Sequence, residues 1–308
     1  MTAQVFVLGH LSDPHLGPLP TPRLRELTGK RVLGIINWRR RRRVAHRADV
    51  VDTLVHDLQA AAPDHIAVTG DLVNVALDLE FAPARQWLAR LGSPDQVTVV
   101  PGNHDVYVRS AVQYPARHWG DYMRADGIGS AAPHGRPAHF PFVRRRRHVA
   151  LIGLSTAVPT GLVTATGKLG AEQLMRLSDT LDHLAHLGLF RVVLLHHPPT
   201  STMTERLKRL IDAGPVRRVM SEHGAELVIH GHSHLQSLTW LDGPKKSRVP
   251  VIGVPSASAT LHGRRDPASY NLYRITGGPG VWQCEAVTRG LRLGHHGIVE
   301  LQRRTLLG

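Results

Sequence analysis

Five short clusters of acids, imidazoles and amides are scattered along the chain: Asp13-Pro14-His15, Gly70-Asp71, Gly102-Asn103-His104-Asp105, His196-His197-Pro198-Pro199 and Gly231-His232-Ser233-His234. Carboxylate, carboxamide and neutral imidazole are oxygen and nitrogen donors for a metal ion. With no thiolate among them, the set suits Mn, Fe, Zn or Co. Asp13, Asp71 and Asn103 together with His15, His196, His232 and His234 exceed what one tetrahedral ion requires. The surplus points to two ions, and a carboxylate such as Asp71 can bridge a pair about 3.5–4 Å apart. Gly70, Gly102 and Gly231 stand just before ligand positions, where a missing Cβ would let the backbone approach the ions.

Such side chains can act together only if the fold gathers them. Each cluster follows a short β-branched apolar run: Gln4–Leu11, His65–Thr69, Val97–Val100, Arg191–Leu195 and Glu226–His230. Between these strands, Ala45–Ala61, Leu79–Leu91 and Gly170–Leu187 carry apolar residues at helical spacing. Thr204–Ala213 and Val216–His223 also read as helical. Val149–Leu154, Leu238–Leu241, Val249–Val254, Tyr270–Ile275 and Val281–Val287 read as further strands. The alternation predicts an α/β protein with a mixed sheet or a pair of packed sheets. Open α/β sheets collect ligands at the carboxyl ends of their strands, which is where all five clusters fall.

The chain has 308 residues and 42% hydrophobic content, enough for a substantial core. Without a linker or internal repeat it reads as a single domain over 1–289, followed by a basic tail over 290–308. Gly127–Pro137 reads as an exposed loop. A lone cysteine, Cys284, excludes an internal disulfide framework and cysteine-rich zinc modules. No apolar run reaches the roughly 18 residues of a membrane span, and no basic segment or cleavage site precedes Val5–Leu8. The expected address is the cytoplasm. His46, His56, His183 and His186 lie on predicted helices and read as surface or core residues.

The ordered motifs DxH, GD, GNHD, HHPP and GHSH resemble the calcineurin-like metallophosphoesterase superfamily, and among its members the bacterial class III cyclic-nucleotide phosphodiesterases in particular. In a chain of this composition, GNHD alone is about a one-in-a-thousand match. The resemblance runs from Asp13 to His234 and implies a four-layer fold, a β-sandwich of mixed sheets flanked by helices. It also implies that Asp13, His15 and His234 hold one metal, that Asn103, His196 and His232 hold the other, and that Asp71 bridges them. His104 would face the phosphate and protonate the leaving oxygen, with Asp105 orienting it. In the HHPP motif the ligand position matches His196, with His197 the alternative. Many relatives carry a carboxylate three residues after the bridging Asp, where this chain has Asn74. Asn74, Asn103, His104 and His197 are the candidate substrate contacts.

The implied activity is hydrolysis of a small phosphodiester by a two-metal-activated hydroxide. A second reading is a UDP-diacylglucosamine-type pyrophosphatase at a membrane surface, and a remote third is a non-catalytic scaffold of the same fold. The formal charge of +14 is carried mostly by arginine, with only five lysines among 38 basic residues, as a GC-rich genome would produce. Even so, Arg39–Arg43 directly follows the apolar run Val32–Trp38, a pairing that suits contact with an anionic membrane. Arg144–Arg147, between two strand-like runs, reads as a hairpin turn. Neither run interleaves aromatics as a base-stacking groove does, which argues against nucleic acid.

Overall fold

A computed structural model describes residues 5–27, 29–126, 139–200, 206–261 and 265–308. Twelve strands in these segments form two sheets of six. In the first, β1 (Phe6–Leu11), β2 (His65–Val68) and β3 (Val97–Val99) run parallel, and β10 (Ser269–Thr276), β11 (Gln283–Leu291) and β12 (Ile298–Leu307) extend it antiparallel from β1. In the second, β5 (Val149–Gly153), β6 (Phe190–Leu194), β7 (Leu227–His230) and β9 (Arg248–Gly253) are parallel. Antiparallel edges are supplied by β4 (Phe142–Arg146) and β8 (Ser237–Asp242).

The period-two alternation of the strands divides their side chains between two cores. Val149, Leu151, Val192, Leu194, Leu227 and Ile229 point into the space between the sheets, on which Phe6, Leu8, Ala67 and Tyr273 face from the first sheet. Ala150, Ile152, Val193 and Val228 point the other way, onto α5 (Ala171–His186) and α6 (Ala213–His223). Those helices answer with Leu177, Leu181, Leu184, Val216 and Met220, three or four residues apart. On the outer face of the first sheet, α2 (Ala48–Ala60) buries Val51, Leu54 and Leu58. There α3 (Asp78–Leu91) buries Phe81, Trp87 and Leu88. The layers are helix, sheet, sheet and helix, the α/β sandwich expected. A short α4 (Tyr114–Trp119) packs against α3.

Four local expectations change. Residues 290–308 are not a loose tail: β11 runs to Leu291 and β12 pairs with it from Ile298 to Leu307, closing the edge of the first sheet. The segment lacks apolar pattern because an edge strand is held mainly by backbone hydrogen bonds, and of β12 only Leu306 is buried. Arg144–Arg146 belong to β4 rather than to a turn. The Arg144 guanidinium is buried and donates to the carbonyls of Pro94, Val97, Asp121 and Arg124. Of Thr204–Ala213, the described residues are turns rather than helix, because Leu210 bridges to Gly167 and packs into the core. Before α2 lies an unanticipated helix, α1 (Lys30–Asn37), which continues through a π-helical turn at Trp38–Arg42 into Arg43–Ala45. The Gly127–Pro137 loop lies outside the described residues. Among the described residues, no helix is long and apolar enough to cross a membrane.

Candidate metal centre

The parallel strands of both sheets release their following loops at one end of the sandwich. There the loop after β1 is stitched to the loop after β2: the amides of Asp13, His15 and Leu16 donate to the carbonyls of Gly70 (3.0 Å), Asp71 (3.1 Å) and Leu72 (2.8 Å). From the second sheet, Gly231 N–H donates to the His196 carbonyl, and His232 N–H reaches across to Asp13 Oδ2 at 3.0 Å. Asp13, His15, Asp71, His232 and His234 all sit at positive φ, between 42° and 67°. Non-glycine residues avoid that region at a cost of order 1–3 kcal/mol each, so the loops are over-determined by their surroundings.

The donors converge on a small space. His234 Nε2 lies 3.1 Å from Asp13 Oδ1 and 3.4 Å from His15 Nε2, while His15 Nε2 is 3.9 Å from Asp13 Oδ1 and 4.0 Å from Asp71 Oδ2. On the other side, His196 Nε2 is 3.4 Å from Asp71 Oδ2 and 3.2 Å from Asn103 Oδ1. Ligands at about 2.1 Å from one ion stand roughly 3.0–3.4 Å apart when adjacent and up to about 4.2 Å apart when opposite. These separations have the size of the edges and diagonals of coordination polyhedra. Asp71 Oδ2 is common to both groups. His232 joins the second group, where its Nε2–H donates to the Lys208 carbonyl at 2.8 Å and so leaves Nδ1 as the candidate donor nitrogen.

Electrostatics agree with a cation site. Burial pushes the Asp13 and Asp71 carboxyls up, but the neighbouring imidazoles outweigh it and hold both well below the usual carboxylate range. Burial likewise opposes charge on His196, yet Asp71 and Asp13 raise its pKa to about 9. The glycines serve this crowding. A Cβ on Gly102 would meet Asp71 Oδ1 at 2.2 Å, and one on Gly231 would meet Asp13 Oδ2 at 2.4 Å. Both make room for a ligand carboxylate.

Comparison with known families places this geometry. The model of the calcineurin-like phosphoesterases matches residues 6–236, three quarters of the chain. The chain belongs to the calcineurin-like phosphoesterases. It is thus a hydrolase of phosphoric ester bonds, and the family works with a dinuclear divalent metal centre for which this chain holds candidate ligands. Among solved structures, a dimetal phosphatase from Danio rerio superposes with a TM-score of 0.60 at 14% identity over 98% of each chain. A 5'-nucleotidase precursor from Thermus thermophilus superposes at 0.52 with 16% identity, over 92% of this chain and 54% of its own. A purple acid phosphatase from yellow lupin seeds gives 0.50 at 11% identity, over 97% of this chain and 54% of its own. At these identities the likeness is one of fold. No curated protein matches the chain in sequence.

In this phosphoesterase the GNHD loop differs from expectation in one respect. The Asp105 carboxylate does not act as the partner expected for the His104 ring. It accepts four backbone N–H groups, from Asp71 (2.9 Å), Leu72 (2.8 Å), Val73 (3.1 Å) and Gly102 (2.8 Å). Four donors hold it as the carboxylate, although burial and then the Asp71 charge push its pKa up, to about 7. His104 Nδ1–H instead donates to the Asn74 carbonyl, and its ring stacks on Tyr107 with centroids 5.3 Å apart. In the HHPP pair, His197 Nδ1 pairs with the Thr156 hydroxyl at 2.7 Å and Nε2–H donates to the Ala165 carbonyl at 3.1 Å, while His196 is the one facing Asp71. The Asn74 side chain donates from Nδ2 to the Leu16 carbonyl, while its Oδ1 is buried without a partner among the described residues.

The motif pattern missed three features. His46 packs against His15 and His234 rather than lying on a helix surface, whereas His56, His183 and His186 are exposed as expected. Lys30 and Tyr107 join Asn74, Asn103 and His104 in lining a cleft of about 170 Å³ beside the candidate metal ligands. No spacing rule links these residues to the motifs, because they arrive from α1 and from the loop beyond GNHD.

Asp105→Asn would turn an amide NH₂ toward backbone donors and leave at least one of them unpaired. Removing a buried acceptor costs about 1–3 kcal/mol, and loosening the residues behind metal ligands typically costs 10–100-fold in metal affinity. Denaturant unfolding and Mn²⁺ titration of the variant should show both losses.

Proposed function

We propose that this phosphoesterase hydrolyses a small phosphodiester, a cyclic nucleotide or a compound of similar size. The observation that carries the reading is the cleft. It is lined by Asn103 and His104, by Tyr107, Lys30, Asn37 and Trp38, and by Leu162–Ala165. Its lining beyond His104 offers contacts for a second ester substituent beyond the phosphoryl group.

Two divalent ions, when bound by Asp13, His15, Asp71, Asn103, His196, His232 and His234, would supply a hydroxide nucleophile near neutral pH and offset phosphoryl charge. The remaining work belongs to the chain. His104 lines the cleft next to Asn103, and with Nδ1–H committed to Asn74 the proton it gives the leaving oxygen comes from Nε2. Stacking on Tyr107 holds the ring in that attitude. The buried Asn74 Oδ1 offers an acceptor to a substrate hydroxyl or amine. Lys30 Nζ donates to Thr160 Oγ1 at 2.6 Å and to the Thr164 carbonyl at 3.0 Å, and lies 4.4 Å from the Tyr107 ring centroid. It brings a positive charge to the side of the cleft where a phosphate substituent extends.

His104→Ala should lower kcat by about 10²–10⁴ while the Mn²⁺ content of the purified protein stays that of wild type. Parallel loss of metal and rate would remove His104 from the acid role. Lys30 adds a pH signature. Burial lowers its pKa to about 8 against the pull of Asp71, so it loses its charge as pH rises through that value. KM for an anionic diester should therefore climb above about pH 8 in wild type and stay flat in Lys30→Arg.

A second reading, a pyrophosphatase of lipid-linked nucleotides, is favoured by the lips of the cleft. Beside the lining residues of α1, Leu33 (47% exposed) and Ile36 turn outward, and Val163 of the cleft lining is 77% exposed. Arg39 and Arg40 are exposed just beyond Trp38, while the side chains of Arg41–Arg43 lie outside the described set. Apolar lips followed by basic residues suit the surface of an anionic membrane. Assaying 3′,5′-cyclic AMP beside UDP-diacylglucosamine with Mn²⁺, and co-sedimentation with phosphatidylglycerol vesicles, separates the two. Turnover of the cyclic nucleotide without vesicle binding supports the first reading. Vesicle binding that is lost in Leu33→Glu, together with turnover of the lipid substrate, supports the second.

A further inference from the structure

We infer that His46 is a third imidazole ligand on the Asp13–His15–His234 side of the metal centre. The inference rests on the dinuclear reading above and adds a residue that belongs to none of the five motifs. The His46 ring centroid lies 4.7 Å from that of His15 and 5.7 Å from that of His234. One ligating nitrogen from each of the three histidines falls within 4.8 Å of the others. Opposite ligands of a single ion stand about 4.2 Å apart, somewhat inside that bound.

The placement is built rather than incidental. His46 Nδ1 pairs with the Ser258 hydroxyl at 2.8 Å and lies 3.3 Å from Ser256 Oγ, which makes Nε2 the nitrogen presented to the cluster. Metal-ligating histidines characteristically hand their other nitrogen to such a partner, which sets ring orientation and tautomer. The backbone is tied as well. Arg47 N–H donates to the Ser258 carbonyl and Thr260 N–H to the Ala45 carbonyl, with His46 bridged to Ala259. The same 256–260 segment is anchored to the metal loop, since Ala257 N–H donates to the Ser12 carbonyl and the Ser256 hydroxyl to the Asp13 carbonyl at 2.6 Å. His46 is thus referenced to Asp13 through two short hydrogen-bonded steps. Its addition makes this ion's shell richer in nitrogen than that of its neighbour, a composition that favours Mn, Fe, Co or Zn over Mg.

The test is calorimetric titration of chelator-treated, full-length protein with Mn²⁺, together with the visible absorption of the Co²⁺-loaded form. His46→Gln should weaken one of two Mn²⁺ sites by at least about tenfold, leave the other unchanged and alter the Co²⁺ spectrum. Ser258→Ala, which keeps the imidazole but frees it to turn, should shift the same site in the same direction by less. His15→Ala serves as the reference for losing that site. If His15→Ala loses a site while His46→Gln keeps both affinities and the wild-type Co²⁺ spectrum, the His46 assignment is overturned and the dinuclear centre stands. If wild-type protein binds no Mn²⁺ or Co²⁺, the dinuclear reading beneath it falls too.

Discussion

One buried carboxylate does more than any ligand to give this molecule a site. Asp105 accepts four main-chain N–H groups, three from the loop after β2 and one from the loop after β3. Those bonds draw Asp71 and Gly102 together until Asp71 Oδ1 receives the His104 N–H at 2.7 Å and a Cβ on Gly102 would have no space. Asp71 Oδ2 is then left facing both histidine groups. A loop held only by its own turn residues could not keep Asp71 at positive φ. The position of Asp71 therefore depends on an acid that is engaged with backbone amides.

The two sheets contribute unequally but in step. Asp13, His15, Asp71 and Asn103 come from loops of the first sheet, while His196, His232 and His234 come from the second. Because β1, β2 and β3 are parallel, as are β6 and β7, every one of these loops emerges from a carboxyl end. The shared apolar core between the sheets, from Leu8 and Tyr273 on one side to Leu194 and Ile229 on the other, fixes the distance across which carboxylates and imidazoles meet. Cross-sheet bonds such as His232 N–H to Asp13 Oδ2 work only because that core sets the spacing.

The abundance of arginine has a partly structural explanation. Arg144 satisfies four buried carbonyls, Arg191 forms a bidentate pair with Glu226, and Arg289 does the same with Asp57. The planar guanidinium can serve several acceptors at once, which lysine cannot. Some of the positive charge is therefore neutralised or committed inside the fold. Arg39 and Arg40, exposed beyond Trp38, are a different population.

What was legible from sequence was whatever rests on local pattern. Period-two apolar runs marked the core strands, three-or-four spacing marked α2, α3 and α5, and motifs of fixed spelling marked Asp13, His15, Asp71, Asn103, His196, His232 and His234. Tertiary structure alone decided what depends on contacts between distant segments. It gave Asp105 to backbone amides rather than to His104, and engaged both nitrogens of His197 with Thr156 and Ala165. It also paired 298–307 as an edge strand and seated His46 between His15 and Ser258. None of these has a periodicity or a spelling, because each is set by how two remote stretches of backbone lie against one another. A motif can state which atoms bind a metal, but the packing around it determines which neighbour holds each ring and which further side chain arrives.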